Sequence, residues 1–444
     1  MAFVTSDEER EIAGPAPLIS PAIRFAVSIL VGLLAGLVLQ VFTLAFLGRI
    51  GGDALYIRAI YTPIGFLVLA VTEGLVVAAQ VSAGIATRSG RREILRPLPT
   101  FLGIGGGLLL LIAGAFAAAS DPILTVVGVA PGQRPETLAF IVAVCLTSVV
   151  ALVPYTGGAL LRGIGRTVVS SALSVGFTVL SIVAMTVLGA RTGLGVLAVP
   201  LATLIAGAVA GAAALVLLRA HAGRMSWFRR DAVAEVWAFG APVAVTFVLL
   251  SSVNFCYLWV LRGAGAVEVA GFNLGQGANS IFMVVAIAVG SGAAIAVNLR
   301  PGEVRRPITR AGLSATVRIA LPSYAVIGVL AYALRHPLSR LLTSDVEVAR
   351  TTAGYFLWMG PTFVVFGGTL AVLTYLEQVG MAGTALLLNA VYFTVVMVIA
   401  LLLPQPVGSM ALTKLLAISN VIGFLTCWLS TRYLISRPRF SRAG

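Results

Sequence analysis

The sequence predicts an all-α integral membrane protein with twelve transmembrane helices in two pseudo-twofold-related six-helix bundles. Hydrophobic residues make up 59% of the chain and charged residues only 10%, with a mean hydropathy of +1.03. A soluble domain carries about 25% charged residues. Apolar stretches long enough to cross a ~30 Å hydrocarbon core as helices recur along the chain. A glycine turn between two of these stretches is repeated about half a chain later.

Twelve apolar stretches are the predicted membrane helices. Their length favours helices over strands, because an outer-membrane barrel shows shorter segments of alternating hydrophobicity. The predicted spans are approximately 24–48, 60–87, 98–119, 138–160, 167–190, 193–218, 235–261, 267–297, 312–334, 349–376, 381–403 and 409–433.

Short polar segments set the predicted domain boundaries. Residues 1–23 combine acidic residues with prolines and lack the compact apolar region of a secretory signal, so they are predicted to form a cytoplasmic tail. Residues 24–218 form the predicted N-lobe of six helices, and residues 235–433 form the C-lobe. A cytoplasmic linker at 219–234 joins the lobes, and a basic cytoplasmic tail covers 434–444.

A repeated turn relates the two lobes. Residues 161–165 read Leu-Arg-Gly-Ile-Gly and residues 376–380 read Leu-Glu-Gln-Val-Gly, so that Gly165 and Gly380 are 215 positions apart. Each lobe has six spans, an even number, so both lobes enter the membrane from the same side and the repeats are parallel. Internal repeats of this kind are typical of transporters, whose site lies between the repeats.

The basic residues fix the predicted orientation. With the amino terminus inside, 21 of the 30 Lys and Arg residues fall on the cytoplasmic side, which agrees with the positive-inside rule. Both termini are therefore predicted to be cytoplasmic, in a cell membrane (inner or plasma) that the chain crosses repeatedly. The net charge of +14 is dispersed over these turns, which excludes nucleic acid as a partner.

Several motifs occur in a fixed order along the chain: Gly48 and Gly51 at the end of span one, residues 161–165, and Gly240 with Pro242 at the start of span seven. With these motifs and its twelve spans, the sequence resembles the multidrug and toxic compound extrusion (MATE) transporters over nearly its whole length. Their superfamily also contains flippases for lipid-linked oligosaccharides and peptidoglycan precursors. The resemblance implies a V-shaped pair of six-helix bundles that exports organic substrates against inward H⁺ or Na⁺ flow.

Three acidic positions of the family are not acidic in this chain. The positions at which many MATE transporters carry a coupling carboxylate hold Thr43, Leu250 and, approximately, Phe366. Glu73 lies near the middle of span two, where an isolated carboxylate is costly and usually faces a cavity or a partner. We therefore hypothesise that Glu73 is the proton-coupling residue. The alternative is a structural acid that binds a neighbouring helix or Arg58.

Polar residues within the spans are candidates for the lining of a substrate cavity. Several recur at helical spacing, so that they share one helix face with Glu73 or with each other. The alternative is that such side chains hold neighbouring helices together through hydrogen bonds. The cavity candidates are Gln40, Thr43, Gln80, Tyr155, Asn254, Asn273, Gln276 and Asn279.

Two residues of the repeated turn are candidates for a cytoplasmic gate. Arg162 and Glu377 occupy equivalent places in the two copies, since 215 positions separate them as well. Their opposite charges suggest a contact that holds the cytoplasmic ends of the lobes together. The alternative is that both turns are solvated and carry no such contact.

Taken together, these features predict a secondary active exporter of organic compounds, weakly cationic or neutral and amphipathic, that works by alternating access with H⁺ antiport. No Walker-type GxxxxGK[ST] motif occurs, so an ion gradient or the substrate's own gradient must drive transport. The alternative is a flippase for a lipid-linked oligosaccharide or another lipid precursor, which would need several arginines within the spans. An enzyme is not expected, because no nucleophile–base pair or metal set shares one depth.

No cofactor and no metal are expected. No cluster of His, Cys or carboxylates has metal-ligand spacing, and Cys145, Cys256 and Cys427 lie in apolar runs as small hydrophobic residues. H⁺ is favoured over Na⁺ as the coupling ion because acidic ligands are few. The expected partners are a small organic substrate and membrane lipids. A single chain contains both lobes, so a monomer suffices.

Overall fold

The protein is helical throughout the part of the chain that the structure describes. The structure is a computed structural model, and it describes residues 18–90, 94–126, 129–219, 228–300, 305–404 and 406–436, in which no strand occurs. In chain order the helices are α1 (Ile19–Ile50), α2 (Gly52–Arg88), α3 (Leu98–Ala118), α4 (Ser120–Val126), α5 (Arg134–Gly163), α6 (Thr167–Arg191), α7 (Ala198–Leu218), α8 (Arg230–Glu235), α9 (Ala241–Val260), α10 (Ala266–Asn298), α11 (Arg305–Ala333), α12 (Arg335–Leu342), α13 (Val346–Leu376), α14 (Ala382–Leu401) and α15 (Ser409–Ser436).

Twelve of these helices correspond to the twelve predicted spans. Of the three short ones, α4 and α12 lie in connections, and α8 continues through a π-helical turn at Val236–Gly240 into α9. Within the described residues, eleven continuous stretches are long and apolar enough to cross a membrane. One of them, Val346–Leu401, is 56 residues long and is broken at Gly380, where φ is 88°. It therefore contains two helices, α13 and α14. The predicted all-α fold of twelve membrane helices is confirmed.

Some helices are longer than the predicted spans. Helix α1 begins at Ile19 rather than at residue 24, and α2 begins at Gly52 rather than at residue 60. Hydropathy detects only the apolar part of a helix, so polar ends such as the turn around Arg58 fall outside the predicted span although they are helical. The predicted tails and linker lie partly outside the described residues, at 1–17, 220–227 and 437–444.

The repeated turn has the backbone that its sequence requires. After α5, the amide of Gly165 donates to the Arg162 carbonyl at 2.9 Å, and the amide of Arg166 donates to the Leu161 carbonyl at 2.8 Å. These two bonds form a Schellman motif, which places its glycine in the left-handed region. Gly165 has φ 82° and Gly380 has φ 88°. Both copies of the turn thus place their glycine in the left-handed region.

Contacts between residues divide the chain into two compact units. The amino-terminal unit comprises Ser28–Gly263 and Gly380–Val407, and the carboxy-terminal unit comprises Ala264–Val379, the described residues up to Val27 and those from Gly408 onward. The amino-terminal unit holds most of α1, helices α2 to α9, and α14. The predicted lobe boundaries at residues 218 and 235 stay a prediction.

Both units contain very close helix contacts built on glycines, and one pair of these contacts is equivalent in the two units. In the amino-terminal unit, a Cβ on Gly74 of α2 would lie 2.8 Å from the Gly240 carbonyl oxygen. In the carboxy-terminal unit, a Cβ on Gly292 of α10 would lie 2.6 Å from the Ala22 carbonyl oxygen. Such small residues let membrane helices approach closely. Gly74 and Gly292 are 218 positions apart, and so are Ala22 and Gly240 (292 − 74 and 240 − 22), which extends the repeat to these contacts.

We expect Gly165→Ala to destabilise the protein by about 1–2 kcal/mol, because an L-residue is strained in the left-handed conformation. Gly176→Ala is the matched control, since Gly176 lies within α6 and an added Cβ would meet nothing within 4 Å. The free energy of unfolding in mixed detergent micelles measures both. Equal stabilities for the two variants would contradict the left-handed turn.

Candidate functional site

A buried polar cluster joins three helices of the amino-terminal unit. The Arg162 side chain, at the end of α5, donates from Nε to Gln80 Oε1 of α2 at 2.9 Å and from Nη1 to Ser170 Oγ of α6 at 3.3 Å. Ser170 Oγ in turn donates to the Gly158 carbonyl at 2.9 Å. Gln80 is only 4% exposed. The cluster therefore ties α2, α5 and α6 together.

The repeated turn explains why Arg162 is placed in this cluster. The turn ends α5 beside the last turns of α2, because a Cβ on Gly163 would lie 2.4 Å from the Gln80 carbonyl oxygen. Arg162 is only partly exposed and its guanidinium is hydrogen-bonded within the unit. The alternative of a solvated turn does not describe this residue. The predicted gate between Arg162 and Glu377 stays a prediction.

Glu73 lies on α2, seven residues before Gln80, and its side chain is partly buried. Its charge interacts with that of Arg162. Tyr155 of α5 is a second electrostatic neighbour. The guanidinium of Arg58 instead lies 4.9 Å from the centre of the Tyr61 ring. Of the two partners considered for Glu73, a neighbouring helix or Arg58, the structure favours the neighbouring helix α5.

Glu73 is distinguished from every other acidic residue of the described chain by its position. Every other acidic residue of the described chain lies in a connection or within three residues of a helix end. Glu73 lies well inside α2, 15 positions before Arg88 at the end of the helix. Within the described residues it has no hydrogen bond or ion pair to another side chain. It is therefore the one carboxyl group of the described chain that lies deep within a candidate membrane helix.

The remaining cavity candidates of the amino-terminal unit differ in exposure. Gln40 of α1 and Asn254 of α9 are exposed. Thr43 donates its hydroxyl to the Leu39 carbonyl at 2.8 Å, one turn earlier in α1. Tyr155 is 41% exposed, and its ring packs 5.5 Å from that of Phe177. The side chains of Gln40, Asn254 and Tyr155 are thus accessible, whereas the Thr43 hydroxyl is hydrogen-bonded to the backbone of its own helix.

The candidates of the carboxy-terminal unit all lie on α10. Asn273 is exposed, and Gln276 accepts a hydrogen bond from the Tyr355 hydroxyl at 2.8 Å. Asn279 is 7% exposed, and its Oδ1 has no hydrogen-bond partner. Only Asn273 of the three is both accessible and without a packing role in the described chain.

Polar residues around the second copy of the turn were not among the predicted site residues. Gln378 Nε2 donates to Ser291 Oγ of α10 at 2.7 Å, and Asn298 Nδ2 donates to the Gln378 carbonyl at 2.9 Å. Ser170 of the first copy was also missed. The repeat offset was the available signal, because it assigns Asn298 to the same place as Gln80.

An open apolar groove of about 700 Å³ lies between α9 and α14. Its lining includes Phe255, Trp259 and Met397, with Arg262 at one end. The Arg262 guanidinium lies 4.0 Å from the centre of the Trp259 ring. Aromatic walls beside one stacked cation are suited to contact with amphipathic molecules.

Residues that could hold a metal are not grouped in the described part of the chain: no three His, Cys, Asp or Glu side chains come together there. Cys145 and Cys427 are buried and Cys256 is partly buried, all as free thiols. The polar cluster around Arg162 therefore supplies hydrogen bonds and charge, and its one carboxyl group is that of Glu73.

Comparisons with known proteins agree with this architecture. The model of the MatE family matches residues 242–429. A crystal structure of the Vibrio cholerae MATE transporter VcmN in its bent form matches with a TM-score of 0.84 at 18% identity, covering 94% of this chain and 97% of that chain. A Pyrococcus furiosus transporter of the MOP superfamily, described as having a binding pocket of reverse polarity, matches with a TM-score of 0.86 at 14% identity, covering 98% and 99%.

A third structure, the outward-facing conformation of a multidrug resistance MATE family transporter, matches with a TM-score of 0.86 at 14% identity and covers 95% of this chain and 96% of that one. No curated protein matches. The twelve-helix fold of this chain is thus the fold of these solved transporters. The MatE family model matches much of the second half of the chain, and the fold of the solved MATE transporters extends over nearly its whole length.

We expect Gln80→Leu to destabilise the protein by about 1–3 kcal/mol, because the buried Arg162 Nε would lose its acceptor. Gln40→Leu, at an exposed position of α1, should change stability by no more than about 0.5 kcal/mol. The free energy of unfolding in mixed micelles measures both substitutions. A Gln80→Leu protein as stable as the Gln40→Leu protein would contradict the role of Gln80 as an anchor.

Proposed function

We propose that this MATE-family membrane transporter is a secondary active exporter that couples efflux of organic compounds to inward movement of H⁺. The observation that carries the proposal is the position of Glu73, the one acidic residue deep within a described membrane helix. Carboxylates inside membrane helices are rare and mark ion pathways and proton relays. Glu73 would thus replace the family carboxylates at the positions of Thr43, Leu250 and Phe366.

The choice of H⁺ over Na⁺ rests on the ligands around Glu73. A hard cation is held by several oxygen ligands, and the other side chains of the cluster, Arg162 and Gln80, engage each other. A proton needs only the carboxyl group itself.

The proposed substrates are weakly cationic or neutral amphipathic molecules, such as drugs or natural products. Support comes from the exposed Tyr155 and from the aromatic groove at Trp259, which offer flat apolar surfaces. We propose that the two repeats alternate between inward and outward openings, in a cell membrane with both termini in the cytoplasm. No enzymatic activity, cofactor or nucleic-acid partner is part of the proposal, and a monomer suffices.

A lipid-precursor flippase remains the second candidate, for one specific reason. Such a transporter needs basic groups inside the bundle to neutralise a pyrophosphate, and Arg162 points into its unit rather than into solvent. The cation is already hydrogen-bonded to Gln80 and Ser170, however, and it faces Glu73. These contacts favour an internal role for Arg162 over substrate phosphate binding.

We expect cells that lack their own efflux pumps and carry this protein to accumulate less of at least one fluorescent cation or neutral drug. The Glu73→Gln protein should accumulate the compound as vector-only cells do, and a protonophore should have the same effect on the wild type. Glu347→Gln is the control, because Glu347 is an exposed carboxylate at the start of α13. The proposal fails if Glu73→Gln leaves efflux and its protonophore sensitivity unchanged.

A further inference from the structure

The repeat pairs the polar cluster around Arg162 with a neutral cluster in the carboxy-terminal unit. Gly74 and Gly292 make equivalent close contacts 218 positions apart. The same offset pairs Glu73 with Ser291 and Gln80 with Asn298. Helices α2 and α10 therefore each carry two polar residues seven positions apart. In both units, the repeated turn follows two spans later in the chain.

In the carboxy-terminal unit the turn contacts both positions at once. Gln378 donates through its side chain to Ser291, and its carbonyl accepts from Asn298. The geometry of the repeated turn thus allows one residue to span the two polar positions of the neighbouring helix. All three partners are neutral, so this bridge does not depend on a proton.

In the amino-terminal unit the turn forms a side-chain hydrogen bond to only one of the two polar positions of α2, that of Gln80. By the 215-position offset of the turn itself, the residue equivalent to Gln378 is Gly163, which has no side chain, and Arg162 beside it reaches Gln80 instead. The second hydrogen bond of Arg162 goes to Ser170 on α6. Glu73, which stands in the place of Ser291, interacts with the Arg162 charge without a direct hydrogen bond in the described structure.

Few titratable groups lie on the elements that pack against α2 around Glu73. Helix α2 packs against α3, α5, α9 and the turn before α9. Arg162 and Tyr155 of α5 interact electrostatically with Glu73, and α3 carries no titratable side chain. The remaining groups on these elements lie farther along their helices: Arg134, Glu136 and Cys145 on α5, and Cys256 and Tyr257 on α9.

We propose that Arg162 is a mobile counter-ion that exchanges Ser170 for Glu73 when Glu73 loses its proton. In this exchange the bond from Nη1 to Ser170 of α6 is given up, and the guanidinium turns towards Glu73 on α2. The guanidinium keeps its charge at all working pH values, so it competes for pairing and not for the proton. A bare carboxylate in a low-dielectric site needs such a partner, because an unpaired buried charge costs several kcal/mol.

Through this exchange, the protonation state of Glu73 on α2 would determine whether Arg162 is hydrogen-bonded to α6. With Glu73 protonated, Arg162 holds the start of α6 through Ser170, and with Glu73 ionised this bond is given up. Only the amino-terminal unit has a titratable residue at this point of the repeat, so only this unit would respond. The inference rests on the proposed function, since it takes Glu73 as the proton site, and it makes Arg162 a positioning residue.

Infrared spectroscopy of the full chain in lipid vesicles tests the exchange. The carboxyl C=O band that Glu73→Gln removes reports the protonated Glu73, and its intensity is followed as a function of pH. We expect Arg162→Gln to move the midpoint of this band by about one pH unit towards alkaline pH, because the ionised form loses its cation. Arg162→Lys, which keeps the charge, should stay closer to the wild type.

Ser170→Ala gives the opposite sign and serves as the second variant if Arg162→Gln does not fold. Removing the competing partner of Arg162 favours its pairing with the ionised Glu73, so the midpoint should move towards acidic pH. A merely structural role of Arg162 would not produce opposite displacements in the two variants. Ser174→Ala, on the same face of α6 with its hydroxyl bonded to the Ser170 carbonyl, is the matched control and should leave the midpoint unmoved.

The outcomes separate this inference from the proposed function. If Glu73→Gln removes a titrating band but Arg162→Gln and Ser170→Ala leave its midpoint in place, the counter-ion role is overturned and the proton site stands. If Glu73→Gln removes no titrating band, both are overturned. Opposite displacements in Arg162→Gln and Ser170→Ala support both.

Discussion

The arrangement of the amino-terminal unit depends on one constraint: a guanidinium inside a helix bundle must have acceptors around it. Arg162 satisfies this constraint with Gln80 on α2 and Ser170 on α6, at the point where a Schellman turn ends α5. The turn brings Arg162 beside α2, and its backbone needs the left-handed glycine at 165. The only carboxyl group deep within a described helix, that of Glu73, then lies in the field of this cation. The helix packing, the turn geometry and the electrostatics of this unit therefore all involve Arg162.

At the second copy of the turn, the contact with the neighbouring helix is made by neutral groups only. Gln378 joins Ser291 and Asn298 through hydrogen bonds that do not change with pH. Two copies of one architecture thus differ in chemistry, and the charged groups are concentrated in the first. This asymmetry fits a transporter in which one repeat senses the proton.

Much of the fold could be predicted from the sequence, because hydropathy and glycine turns depend on local composition. The twelve helices and the equivalence of Gly165 and Gly380 followed from these signals. Helix ends were less predictable, since the polar residues at the start of α2 are helical without being apolar. The surroundings of Arg162 could not be predicted either, because its side-chain direction depends on helices far away in sequence. For the same reason Gln80, expected in a cavity, is an anchor for Arg162, while Asn279 is buried within its unit.

Proton-coupled export through Glu73 is the central claim, and proton flux in vesicles tests it most directly. Purified protein is reconstituted with a trapped pH-sensitive dye, and a gradient of a transported compound is imposed without any Na⁺ present. Coupling predicts that protons move opposite to the compound in wild-type vesicles and that Glu73→Gln vesicles show no such flux. Transport of the compound without proton movement, or proton movement that survives Glu73→Gln, would contradict the account.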